Sequence, residues 1–175
     1  IDNGPREDAT YENVARLKSV FDKRYGTVTA ANSSFLTDGA SAVLLMSEEK
    51  ARAQGFVPKG YIRSYAYTGQ NLYEDLLLGP VFALPVALAR GGISFKDIEV
   101  FEIHEAFAVQ VLAVLRCLES RDFCVGTLGL KDRFGSVPID RFNRHGGSLS
   151  IGHPFGATGG RLLAACCHEL RDRGA

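Results

Sequence analysis

Residues 146–160 read GGSLSIGHPFGATGG and contain six glycines, one proline and one histidine. Glycine permits positive φ and close backbone approach, and proline fixes its own φ, so this composition predicts a tight, specified turn. A largely apolar run predicts a helix from Arg161 to Leu170, with Thr158 as its N-cap. His153 is therefore expected on a turn just ahead of a helix N-terminus, where free N–H groups favour negative charge.

Three interpretations of this turn compete. A phosphate-binding P-loop is rejected, because no lysine stands where that motif requires one. A purely structural glycine turn and a catalytic histidine held by rigid backbone remain about equal on residue types alone. Imidazole titrates near neutral pH and is a natural general base, which favours the catalytic interpretation slightly.

Composition limits the classes of function. The 175 residues carry 20 basic and 20 acidic side chains, so nothing suggests nucleic-acid binding. The chain is 46% hydrophobic, but no apolar run is long enough to predict a transmembrane segment. The four cysteines are Cys117, Cys124, Cys166 and Cys167, and none forms a CxxC pair. The adjacent Cys166 and Cys167 suit a reduced interior better than a disulfide framework, and no metal site is expected.

Helical and strand patterns alternate along the chain. Helices are predicted near 14–21, 47–55, 79–91, 108–118 and 161–170, and strands at 27–30, 40–47, 57–67 and 98–103. The strand at 40–47 is expected to be buried on both faces, and residues 120–144 are expected to form a loop. This alternation predicts a layered α/β fold. Since a strand should follow the last helix, we expect the chain to be a fragment.

A second candidate site residue, His104, follows the end of the predicted strand 98–103. His104 stands where ligands gather in open α/β sheets, and Glu105 adjoins it. An isolated histidine there would more simply be a core residue bonded to backbone. A polar pair at a strand end between two very apolar helices is a better candidate for a site.

Together these motifs resemble those of the thiolase family. HEAF at 104–107, the glycine pair at 146–147 and GHPFGATG at 152–159 match a family pattern in which Asn-Glu-Ala-Phe or His-Glu-Ala-Phe precedes Gly-His-Pro. TVTAANSS at 27–34, DGA at 38–40 and LLMS at 44–47 agree with it, so the resemblance covers nearly the whole chain.

The resemblance implies a layered α-β-α-β-α fold that is incomplete in this chain. Residues 1–37 would end the loop domain, and residues 38–55 would form the last strand and a short helix of the N-terminal domain. Residues 56–175 would form most of the C-terminal domain, without its final strands. Family members are dimers or tetramers.

The subfamily can be narrowed. His104 stands where most thiolases have asparagine, and LLLGP at 76–80 and the insertion at 122–143 resemble the β-subunit of the fatty-acid β-oxidation trifunctional enzyme. Such enzymes cleave 3-ketoacyl-CoA with CoA, so coenzyme A is a substrate and no cofactor is implied. A biosynthetic acetoacetyl-CoA thiolase and a non-catalytic acyl-CoA-binding protein remain alternatives.

The resemblance also assigns roles. His153 matches the base that activates a nucleophilic cysteine, and His104 matches a donor to the thioester oxygen; both would be catalytic. Glu105, Gly152 and Gly156 would support them. Four residues would contact substrate: Ser34 and the Ala30 backbone at the pantetheine arm of CoA, with Phe107 and Leu76 at the acyl group. A turn serine and a core phenylalanine are simpler structural alternatives for Ser34 and Phe107.

Two features of the family pattern fall outside this sequence. The nucleophilic cysteine is expected before Ile1 and the acid/base cysteine beyond Ala175, so the chain alone is expected to be inactive. The four cysteines present match neither position. The resemblance leaves open whether a hydratase/dehydrogenase α-subunit binds. It implies a mitochondrial location in a eukaryote and a cytoplasmic one in a bacterium, and the sequence does not decide between them.

Overall fold

Helices dominate the computed structural model, which describes residues 6–174. The α-helices of this part of the chain are α1 (Tyr11–Ala15), α2 (Glu48–Ala53), α3 (Gly79–Gly91), α4 (Ala108–Glu119), α5 (Arg121–Gly126), α6 (Ser148–Ile151) and α7 (Thr158–Arg173). Short 3-10 turns lie at Ala30–Asn32, Phe95–Asp97, Ile139–Arg141 and Phe155–Ala157. Among residues 6–174, no helix combines the length and the apolar character that a membrane crossing requires.

Several helix ends follow local sequence chemistry. Ser47 caps α2 by accepting a hydrogen bond from the Lys50 N–H at 3.3 Å. Pro80 lies in the first turn of α3, and Gly92 ends that helix at a φ of +61°. The N-cap prediction for Thr158 is wrong, because Thr158 is the first residue of α7 and its hydroxyl bonds His153 instead.

The core lies between α3 and α4. Val81 packs with Val114 and Leu118, and all three side chains are fully buried. Residues 120–144 were expected to be a loop, but α5 begins there behind Ser120, whose hydroxyl caps Phe123 N–H at 3.2 Å. The edge-to-face contact of Phe123 with Phe82 brings α5 against α3, so tertiary packing extends the core beyond what helix periodicity predicts.

The predicted strands form no ladder in residues 6–174. Pairing there is limited to isolated bridges: Ser33 with Phe107, Leu36 with His153, and Phe101 with Phe142. Within the described residues, segments 40–46 and 57–67 make no backbone-to-backbone hydrogen bond. A strand exists only through pairing with a second backbone, so the predicted segments form no strand within residues 6–174, and the last strand of the N-terminal domain within 38–55 stays a prediction of the resemblance.

Side-chain exposure corrects the burial expected for 40–47. Leu44 and Leu45 are 73% and 66% exposed. In the segment 57–67, Tyr61 and Ile62 are 68% and 61% exposed. An apolar run predicts burial only where another layer covers it, and residues 6–174 supply no such layer over these two segments.

The N-terminal helix is shorter than predicted. Helical spacing predicts 14–21, whereas α1 ends at Ala15. The Val20 N–H bonds the Val28 carbonyl at 2.8 Å, and the Phe21 ring meets the Phe107 ring edge to face at 5.9 Å. These long-range contacts hold the segment in a non-helical path toward the HEAF motif.

Candidate active site

The two histidines singled out in the sequence lie side by side. The ring centroids of His104 and His153 are 4.0 Å apart, with an interplanar angle of 36°. The Phe155 ring continues the stack, 4.4 Å from the His153 ring. Both imidazoles are half-buried. The HEAF and GHPFGATG motifs therefore converge in three dimensions.

His153 is held by backbone on one side and by a hydroxyl on the other. Its backbone N–H donates to the Phe35 carbonyl at 2.9 Å, and its ring Nδ1 lies 2.7 Å from Thr158 Oγ1. Gly152, just before it, has a φ of +90°, and a Cβ there would lie 2.1 Å from Thr37 Cγ2. Glycine is therefore required at 152 for both conformation and space.

His104 is positioned through the residue before it. The Asn143 side chain accepts from the Ile103 N–H and donates to the Ile103 carbonyl, both at 2.9 Å. Asn143 adopts a φ of +40°, which asparagine tolerates better than most residues. Its backbone N–H also donates to the Phe101 carbonyl at 2.9 Å. This loop residue therefore makes the backbone hydrogen bond that a neighbouring strand would make in a sheet.

Glu105 joins the two histidine motifs. Its buried carboxylate accepts from Asn143 Nδ2 at 2.6 Å and from the Leu149 N–H at 3.1 Å. Gly147 packs directly against it, since a Cβ at 147 would lie 2.1 Å from Glu105 Cδ. Charge-assisted hydrogen bonds of this kind are about twice as strong as neutral ones, so Glu105 serves as a rigid link between the motifs.

A buried serine connects His104 to α7. Ser148 is fully buried, and its Oγ lies 2.9 Å from His104 Nδ1. Arg161 Nη2 donates to the same oxygen at 3.1 Å. Burial lowers the pKa of His104, and the neighbouring His153 and Arg161 lower it further, while Glu105 acts in the opposite direction. These effects together favour the neutral form of His104.

The predicted substrate residues divide into two groups. The Ser34 N–H donates to the Ala106 carbonyl at 2.9 Å, and Ser33 bridges Phe107, so Ser34 and Phe107 lie at the HEAF motif. Ala30 is exposed in the turn 30–32 and Leu76 is 59% exposed ahead of α3. Neither takes part in the hydrogen bonds that join the histidine motifs within residues 6–174.

Gly156 lies in the 3-10 turn 155–157, where an added Cβ would meet no atom within 4 Å. The described structure therefore gives no steric reason for glycine at this position. It differs in this respect from Gly152 and Gly147.

Sequence reasoning missed Asn143, Ser148 and Arg161. Ser148 lies within the glycine-rich stretch 146–160, and Arg161 is the single cation at the start of an apolar helix. Either feature could have marked a buried polar contact. Nothing local indicates that Asn143 reaches the backbone of a residue 40 positions earlier.

Two protein-family models match this chain. The model described as "Thiolase, C-terminal domain" matches residues 56–175, and "Thiolase, N-terminal domain" matches residues 1–49. The chain belongs to the thiolase family. The resemblance found from the motifs is thereby confirmed.

Relatives of this thiolase chain are longer than the chain itself. It is 50% identical to a 3-ketoacyl-CoA thiolase of Shewanella halifaxensis and 53% identical to the mitochondrial trifunctional enzyme subunit beta of Bos taurus. Each match covers 99% of this chain but only 40% and 36% of the respective relative.

A solved structure shows that the fold is shared. Human mitochondrial 3-ketoacyl-CoA thiolase in complex with CoA matches with a TM-score of 0.78 and 34% identity. That match covers 100% of this chain and 40% of the human chain. The arrangement of residues 6–174 is thus part of a thiolase fold, although pairing within them is limited to isolated bridges.

Proposed function

We propose that these residues are part of a 3-ketoacyl-CoA thiolase, which cleaves 3-ketoacyl-CoA with CoA in fatty-acid β-oxidation. The observation that carries the proposal is the stacking of His104 on His153 at 4.0 Å. The names of the Shewanella and bovine relatives support the choice of substrate class. The same proposal includes the layered α/β fold and domain boundaries after residues 37 and 55.

His153 is proposed as the general base. It takes the proton of a nucleophilic cysteine, whose thiolate attacks the ketone carbon of the substrate. This role requires a free lone pair on Nε2. It therefore requires the Nδ1–H to donate to Thr158 Oγ1, which lies 2.7 Å away. The bond between the ketone carbon and the α-carbon then breaks, which leaves an acyl-cysteine and the enolate of acetyl-CoA.

His104 is proposed as a hydrogen-bond donor to the thioester oxygen. Negative charge develops on that oxygen as the enolate forms. A fixed donor there stabilises the transition state more than the substrate, by about 3 kcal/mol for one such group. The rigid support of His104 through Ile103 and Asn143 suits this role, because a donor must be in place before charge appears.

The substrate is proposed to reach the histidines past the segment 30–34 and Phe107. The bond from Ser34 to Ala106 places that segment at the HEAF motif. The CoA complex of the human relative supports CoA as the ligand. Contacts of Ala30 and Leu76 with substrate are part of the proposal, as are the supporting roles of Glu105, Gly152 and Gly156. Assembly as a dimer or tetramer, with a hydratase/dehydrogenase subunit as a further partner, also belongs to it.

We expect the 175 residues alone not to catalyse thiolysis. Burial raises the pKa of the Cys117 and Cys166 thiols, which disfavours the thiolate that attack requires. Cys124 is fully buried. A base without a nucleophile retains little of the rate.

Activity measurements test the proposal. The intact polypeptide that carries these residues should cleave 3-ketoacyl-CoA substrates longer than acetoacetyl-CoA in the presence of CoA, and the 175-residue chain should not. Cleavage of acetoacetyl-CoA alone would indicate the biosynthetic class. Saturable acyl-CoA binding without turnover would indicate a carrier, and turnover by the 175-residue chain would contradict the assigned mechanism.

A further inference from the structure

A chain of hydrogen bonds runs from α7 through α6 to His104. Arg161 Nη2 lies 3.1 Å from Ser148 Oγ, and Ser148 Oγ lies 2.9 Å from His104 Nδ1. Ser148 has no exposed surface, so bulk water does not compete for its hydroxyl. The thiolase resemblance assigns no role to Ser148 or to Arg161.

The direction of each bond follows from the groups involved. A guanidinium only donates, so Ser148 Oγ accepts from Arg161. The serine proton then needs an acceptor of its own. Within residues 6–174, the partners of Ser148 Oγ are Arg161 and His104. A buried hydroxyl proton left without an acceptor is unfavourable, so it is donated to His104 Nδ1.

The tautomer of His104 follows. An Nδ1 that accepts a hydrogen bond carries a lone pair, so in the neutral ring the proton resides on Nε2. Ser148 lies between His104 and the guanidinium of Arg161. The positive charge of that guanidinium opposes formation of an imidazolium at His104. Glu105 favours the imidazolium, but its carboxylate is occupied by Asn143 and the Leu149 N–H.

We propose that Ser148 and Arg161 are positioning residues that hold His104 as a neutral imidazole with its proton on Nε2. In this state His104 offers one N–H donor of fixed identity. The opposite tautomer would present a lone pair at Nε2 and repel a developing oxyanion. The inference rests on the proposed function for the identity of the oxyanion, but the tautomer itself does not depend on it.

A double-mutant cycle in the intact polypeptide tests the inference. Ser148→Ala removes the donor that selects the tautomer, so kcat should fall by at least about tenfold with little change in KM. The same substitution in a His104→Asn background should cost less than about threefold, because a carboxamide NH₂ donates without choosing a tautomer. Equal losses in the two backgrounds would overturn the inference and make Ser148 merely structural.

Nitrogen NMR of ¹⁵N-histidine-labelled protein provides a readout that does not need activity. The His104 signals are identified by their loss in His104→Asn. Near neutral pH the wild-type spectrum should show an unprotonated Nδ1 and a protonated Nε2, and Ser148→Ala should show a mixture of tautomers. A protonated Nδ1 in the wild type would overturn the inference.

The two experiments separate this inference from the proposed function. The predicted tautomer in a protein that does not cleave 3-ketoacyl-CoA would leave the inference standing and refute the function. Thiolysis by a protein whose His104 carries its proton on Nδ1 would support the proposed function and refute the inference.

Discussion

The carboxylate of Glu105 accepts a hydrogen bond at 3.1 Å from the backbone N–H of Leu149, so the residue after His104 is tied to the short helix that carries Ser148. The other carboxylate oxygen accepts from Asn143 at 2.6 Å. One side chain thereby ties the HEAF motif to two neighbouring positions that lie 38 and 44 residues later in the chain. The geometry of the histidine pair depends on this link.

Removal of the Glu105 carboxylate should destabilise the protein and impair turnover. Glu105→Ala leaves one side-chain N–H of Asn143 and the backbone N–H of Leu149 without an acceptor, which should cost about 3 kcal/mol. Glu105→Gln keeps one acceptor and should cost less. Denaturant unfolding and kcat of the intact polypeptide provide the measurements, and exposed Glu74→Ala is the matched control. An alanine variant as stable as wild type would contradict the linking role.

Gly152→Ala should displace His153. The new methyl group would stand at a φ of +90° and 2.1 Å from Thr37 Cγ2, a combination that should cost about 3 kcal/mol. The melting temperature and kcat should both fall. Thr37→Ser removes the nearest atom and should restore part of the loss.

Gly126→Ala is the control for that substitution. Gly126 lies in α5, and an added Cβ there would meet no atom within 4 Å. Alanine favours helix by up to about 1 kcal/mol over glycine, so this variant should be as stable as wild type or more so. Similar losses at 152 and 126 would show that the contact with Thr37 is unimportant.

His153→Ala should lower kcat by about 10²–10⁴ and change KM much less. The imidazole acts on proton transfer and on charge that develops during the reaction, not on the nucleotide part of CoA. Steady-state kinetics with a 3-ketoacyl-CoA substrate decide the point, and His168→Ala, at an exposed position of α7, is the control. An unchanged kcat with a large rise in KM would contradict the base assignment.

Arg161→Gln should shift the acid limb of the activity profile to higher pH. The charged or titratable groups that act on His104 are His153, Arg161 and Glu105. Arg161 lowers the pKa of His104, so its removal raises that pKa and the ring becomes charged at a higher pH. Glutamine still offers an N–H to Ser148, so the tautomer of the neutral ring should be retained.

The profile of kcat/KM against pH measures this shift, because it reports the free enzyme. The acid limb of the wild-type profile should lie at a lower pH than that of Arg161→Gln. A limb that does not move, or that moves to lower pH, would show that the Arg161 charge does not act on His104.

Several helix ends and the turn at His153 could be predicted from the local sequence alone. Gly92 ends α3, Ser47 caps α2, and the glycines around His153 form a tight turn, because these features depend on residues within one or two turns of one another. The motifs HEAF and GHPFGATG also sufficed to identify the family, since each is a contiguous string.

Backbone pairing and the polar contacts of the site could not be predicted in this way, because they depend on tertiary packing. Apolar runs such as 40–47 have strand character, but a ladder needs a second backbone, and residues 6–174 provide none for them. Asn143 reaches Ile103 across 40 positions, and Ser148 reaches His104 across 44. Hydrogen bonds at such separations depend on how segments pack in three dimensions, and no local pattern encodes that packing.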